Sequence, residues 1–118
     1  MRFSIAALLG LAASVTADEL DILRTWEPMP GWTGAWGIWH SGYGHYVIDA
    51  REGCRDPPDV PAMDSICFDW TNMRAHFYFS GQPKRCLAHW HHYDAGNCGS
   101  VAGATCNIYK WKEVPCTW

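Results

Sequence analysis

Basic clusters are missing from this sequence, and with them the electrostatic footprint that binding to a nucleic-acid backbone or an anionic membrane would need. A C-x-x-C pair is missing too, which disfavours structural zinc on the cysteines. No N-x-[S/T] sequon occurs, so N-glycosylation is not expected. The serines lack a G-x-S-x-G context and the cysteines are expected to be oxidised, which leaves a serine or cysteine hydrolase little support. Past residue 17 no apolar run approaches the roughly 20 residues that a membrane-spanning helix needs. Helix signals are sparse from Gly31 onward, because glycine, proline and aromatic residues recur before an apolar period of about 3.6 can be sustained. Aliphatic residues are scarce as well: between Thr25 and Asp94 they are Ile38, Val47, Ile48, Val60, Ile66 and Leu87, so aromatic rings must supply most of the buried area.

What is present begins with "MRFSIAALLGLAASVTA", a basic start at Arg2, an apolar stretch and small residues at Val15 and Ala17. This reads as a secretory signal peptide over residues 1–17, leaving a single secreted β domain over residues 18–118. Without Arg2 that domain carries eight Lys plus Arg against twelve Asp plus Glu, a net charge of −4 with histidines neutral. Six histidines would bring this charge toward zero on acidification. All six cysteines fall in the domain, and an even number in a small exported chain predicts three disulfides. If residues 86–93 form a straight strand rising about 3.3 Å per residue, Cys98 cannot fold back to Cys86, and Cys106 is its easier partner. Cys54, Cys67, Cys86 and Cys116 keep three connectivities open.

Residues 34–40, 45–50, 65–70, 75–80, 86–93 and 106–114 are rich in aromatic and β-branched residues and bounded by turn formers. About six strands predict an all-β domain, a small disulfide-stapled antiparallel β-sandwich or partly closed barrel. "DELDILRTW" from Asp18 places Leu20, Leu23 and Trp26 near one helical face, and is expected to be a loose terminus ended by Pro28 and Pro30.

Two segments carry candidate chemistry. In "CLAHWHHYD" strict alternation turns Cys86, Ala88 and Trp90 one way, with Trp90 in the core, and His89 and His91 the other. A hairpin closing over residues 81–84 would pair Ser80 with Arg85 and set His76 opposite His89, so that His76, His89 and His91 could meet a metal ion. Histidines on the solvent side of a half-buried strand explain the same pattern. In "GWTGAWGIWHSGYGHY" Trp32, Trp36, Trp39, Tyr43 and Tyr46 lie among glycines, a composition suited to stacking on a sugar ring or to filling the core. "YGH" at Tyr43 to His45 loosely resembles the Tyr-x-His of guanyl-specific fungal ribonucleases, but the C-terminal "CNIYKWKEVPC" lacks that family's second histidine.

"FYFSGQPKRCLAHWHHYDAGNC" followed by "CNIYKWKEVPC", Phe77 to Cys116, resembles a pattern in small cysteine-rich secreted proteins of filamentous fungi. The resemblance implies a compact β-sandwich, crystallin-like in some members, and an effector or antimicrobial role rather than catalysis. The expected activity is therefore extracellular binding of a protein or glycan by a monomer, with no catalytic residues and no cofactor. A carbohydrate-binding module using exposed Trp and Tyr is the alternative, and a small ribonuclease or metal-binding protein comes after it.

Overall fold

The structure, a computed structural model, describes residues 18–29, 31–98 and 102–118. The expected signal peptide lies outside them. The described residues form strands and no helix, as expected for an all-β chain, but there are eight strands rather than six. They are β1 (Glu19–Trp26), β2 (Trp32–Ser41), β3 (Gly44–Asp49), β4 (Gly53–Arg55), β5 (Met63–Asp69), β6 (Arg74–Phe79), β7 (Arg85–Gly96) and β8 (Thr105–Val114). All belong to one antiparallel sheet ordered β3-β2-β1-β8-β7-β6-β5-β4, curled into a half-barrel. Each strand pairs with its neighbour in sequence except across the β3/β4 gap, and the first and last strands pair with each other. The topology is that of an up-and-down barrel slit between β3 and β4. Arg55 spans the slit, with Nη1 donating to the Asp49 carbonyl at 2.9 Å.

The segment expected to be a loose terminus is instead a central strand. β1 is hydrogen-bonded on one side to β2 and on the other to β8, with Leu20 opposite both Trp39 and Trp111. Leu20 and Ile22 are fully buried while Leu23 faces out, so the period is two, and the helical spacing of Leu20, Leu23 and Trp26 has no structural meaning.

Aromatic rings fill the interior, as the scarcity of aliphatics requires. Trp39 meets Phe77 edge-on at 4.7 Å, Trp111 meets Trp70 at 5.1 Å, and Phe68 lies 6.1 Å from Trp111. Gly37 sits where a Cβ would come within 2.8 Å of both Ile48 and Leu20, so the close approach of β2 to this core requires glycine.

Cys98 pairs with Cys106, as the reach of β7 indicated, and the remaining bridges are Cys54–Cys67 and Cys86–Cys116. The hairpin register differs from the expected one. Phe77, not Ser80, lies opposite Arg85, and His76 lies opposite Cys86 rather than His89. The connection to β7 spans residues 78–84, although Tyr78 and Phe79 continue β6 on its other edge, paired with β5. Ala75, Phe77 and Leu87 consequently share the core face, and Cys86 turns outward, where its bridge to Cys116 lies.

Candidate functional site

Two β-bulges decide which side chains reach the concave face. In β1–β2 the ladder runs Thr25 opposite Gly34, then Trp26 opposite Trp32, so Thr33 is the extra residue. In β7–β8 it runs His89 opposite Trp111, then His91 opposite Lys110, so Trp90 is extra. An extra residue reverses the alternation beyond it. The first bulge turns Trp32 inward, and the second lets both His89 and His92 face inward.

These residues meet around Arg24, which projects from β1 on the inner side. Its guanidinium carbon is 4.1 Å from the Trp32 ring centroid and 4.0 Å from that of Trp70. Tyr109 meets Trp70 at 5.2 Å, edge-on, and Trp32 at 6.4 Å. His92 stacks on Tyr109 at 5.0 Å with its plane tilted only 20°, and its Nδ1 is 2.9 Å from Nε2 of His89. Burial pushes the Arg24 guanidinium below its ordinary range, opposed by the Tyr109 hydroxyl and the Glu52 carboxylate. No carboxylate lies within ion-pair distance of Arg24 among the described residues, and Glu52 instead accepts from the Trp70 amide through Oε1 at 2.9 Å. Burial lowers the His89 pKa too, and the neighbouring His92 and His91 lower it further.

The expected metal triad does not assemble. His76 is on the outer face opposite Cys86, His89 is inside against Tyr109 and Trp111, and His91 is outside between Trp90 and Tyr93. Among the described residues no group of three His, Cys, Asp or Glu is placed to hold a metal ion. Trp90, expected in the core, is 52% exposed, with Lys112 Nζ over its ring at 5.5 Å. It is the bulged residue, and β6 has ended by this point, leaving β7 paired only to β8.

The five expected ligand-binding aromatics are split among three places. Trp32 belongs to the concave cradle, and Trp36 is on the convex face. Trp39 is buried core that also reaches the end of the half-barrel, where it joins Tyr43 and Tyr46 around an open cleft of about 1040 Å³. The cleft carries an ion cluster: Arg85 donates to both Glu113 oxygens at 2.8 and 2.7 Å and to Asp18 Oδ2 at 3.3 Å. Burial raises the Asp18 pKa, against the pull of Arg85.

The convex face of β3-β2-β1-β8-β7 holds an apolar row. Trp36 lies opposite Leu23, Leu23 opposite Ile108, and Ile108 opposite Tyr93; beside them Ile38 lies opposite Val47. Trp36 is 59% exposed, and Leu23, Ile38, Val47 and Tyr93 are exposed as well. Asp21 adjoins this row, held by Lys110 Nζ and His40 Nε2, each at 3.1 Å.

Sequence reasoning named Trp32 and His89 from the cradle but missed Arg24, Trp70, His92 and Tyr109. The one signal for Arg24 was its place in the Leu20, Ile22, Arg24 alternation. No family model matches the chain, and neither the curated proteins nor the solved structures contain a match.

Proposed function

We propose that the chain is a secreted binding protein of the fungal effector type, working outside the cell by docking on a host or competitor protein or glycan and performing no catalytic step. The convex face carries this reading: Trp36, Leu23, Ile38, Val47 and Tyr93 form a contiguous exposed apolar row on one side of a single sheet. Their exposed area is on the order of 500 Å², the size at which a patch on a monomer tends to be functional. Three disulfides accord with an oxidising, extracellular setting.

The test compares wild type with a Trp36→Ser/Ile38→Lys double variant, both sites being solvent-exposed. Each is measured for depletion from solution by insoluble chitin, cellulose and β-glucan, and for cross-linking to extracellular host proteins. Wild type should be depleted or cross-linked and the variant should not. Identical behaviour of the two proteins would sink the reading, and so would release of soluble sugars or nucleotides by wild type.

A further inference from the structure

We propose that the concave cradle of Arg24, Trp32, Trp70, Tyr109, His89 and His92 is a second binding site, separate from the convex face, that takes the carboxylate of an acidic sugar. The guanidinium is the reason for an oxyanion. It packs over both the Trp32 and Trp70 rings, 4.1 and 4.0 Å from their centroids, contacts with π faces that satisfy none of its N–H donors as a carboxylate would. Those donors form a fork matched to a carboxylate. Arg24 is half-buried with no carboxylate at ion-pair distance among the described residues, whereas Arg51, Arg55, Arg74 and Arg85 all have one. The Tyr109 hydroxyl serves Arg24 as a neutral acceptor, and one hydroxyl leaves most of the five guanidinium donors for an oxyanion.

The surrounding rings are the reason for a sugar. Trp32 is 44% exposed beside the guanidinium, and His92 is exposed where it stacks on Tyr109. An exposed indole next to a carboxylate receptor suits a pyranose that bears its own acid group, with the ring stacking while the carboxylate meets Arg24. The imidazole of His92 adds a donor at the rim. Both Trp32 and His92 owe their inward direction to bulges, a device that natural sheets use to re-aim side chains at sites.

Tryptophan fluorescence of the disulfide-intact protein, titrated with oligogalacturonate, with the same oligomer reduced to its neutral sugar, and with inorganic phosphate, tests the assignment. Oligogalacturonate should give a saturable change. The neutral oligomer and the Arg24→Met variant should each bind about 10- to 100-fold more weakly, the cost of one charge-assisted contact. Arg24→Lys should recover part of the loss, and Trp36→Ser/Ile38→Lys should bind as wild type does, which separates this site from the convex face. Equal affinity for acidic and neutral oligomers would overturn the proposal. Phosphate binding as tightly as the oligomer would show a site for free anions and overturn the sugar assignment, and absence of saturation with any ligand would overturn both. The three wild-type titrations decide the matter even if Arg24→Met fails to fold.

Discussion

At the scale of single residues, the histidines matter through where they stop being solvated. His76 and His89 both have lowered pKa values, mainly from burial, with Lys84 and Arg74 adding to the effect at His76 and His92 and His91 at His89. A histidine that resists protonation when folded binds fewer protons than the unfolded chain does. Stability is therefore lost as pH falls below the ordinary value of about 6.5 toward the folded pKa, and is kept above it. Thermal unfolding followed by circular dichroism should show a melting temperature that declines from pH 7 to pH 5, and less steeply in His89→Gln. The His89–His92 contact also needs one neutral ring to accept, so a second proton on the pair should break it. Gly37 offers a simpler test. Its Cβ would meet Ile48 and Leu20 at 2.8 Å inside a closed core, so Gly37→Ala should destabilise by about 1–3 kcal/mol in a denaturant titration. The composition made the aromatic core legible, since six aliphatics over 70 residues could not fill one. It did not reveal Arg24, because an arginine on the inner side of a strand looks like an error until the rings that flank it are in place.

At the scale of elements, the two bulges separate what could be read from what could not. Alternation located most strands to within two residues at either end, apart from the longer C-terminal run of β7, yet it failed on faces. Neither Thr33 nor Trp90 is a glycine, so nothing in the sequence marked the places where the alternation reverses. Trp90 was put in the core by a different fault, the hairpin register that gave Cys86, Ala88 and Trp90 the inner face, which Leu87 in fact occupies. The hairpin register was misjudged because a four-residue loop was expected, whereas the β6–β7 ladder stops at Phe77 opposite Arg85 while β6 runs on to Phe79 against β5. β1 was missed because a short segment bearing leucines at helical spacing is decided by its neighbours, and here β2 and β8 supply hydrogen bonds on both edges. Deleting Thr33 should restore regular alternation and turn Trp32 to the convex side. The expected readout is loss of the Trp32 contribution to near-ultraviolet circular dichroism with little change in the far ultraviolet. An unchanged aromatic spectrum would show that Trp32 is held by Arg24 rather than by the bulge.

At the scale of the whole molecule, the bridges staple different spans of chain. Cys86–Cys116 closes 30 residues and Cys54–Cys67 closes 13. On the entropy of the unfolded chain, replacing the first pair by alanine should cost about 4 kcal/mol and the second about 3 kcal/mol, which urea unfolding of the two variants can rank. The second pair also secures β4, a three-residue strand at the slit, so its loss should expose the β5 edge to pairing between chains. The slit has a further consequence, for the order of assembly. Every strand pairing but β1 with β8 is a hairpin between neighbours in sequence, so one closure spanning residues 19–112 holds the longest sequence separations of any strand pairing. A circular permutant opened between β3 and β4, with residues 118 and 18 joined by a flexible linker, would turn that closure into an ordinary hairpin. Its contact order would be far lower, and it should refold markedly faster than the parent in stopped-flow fluorescence while keeping the same sheet.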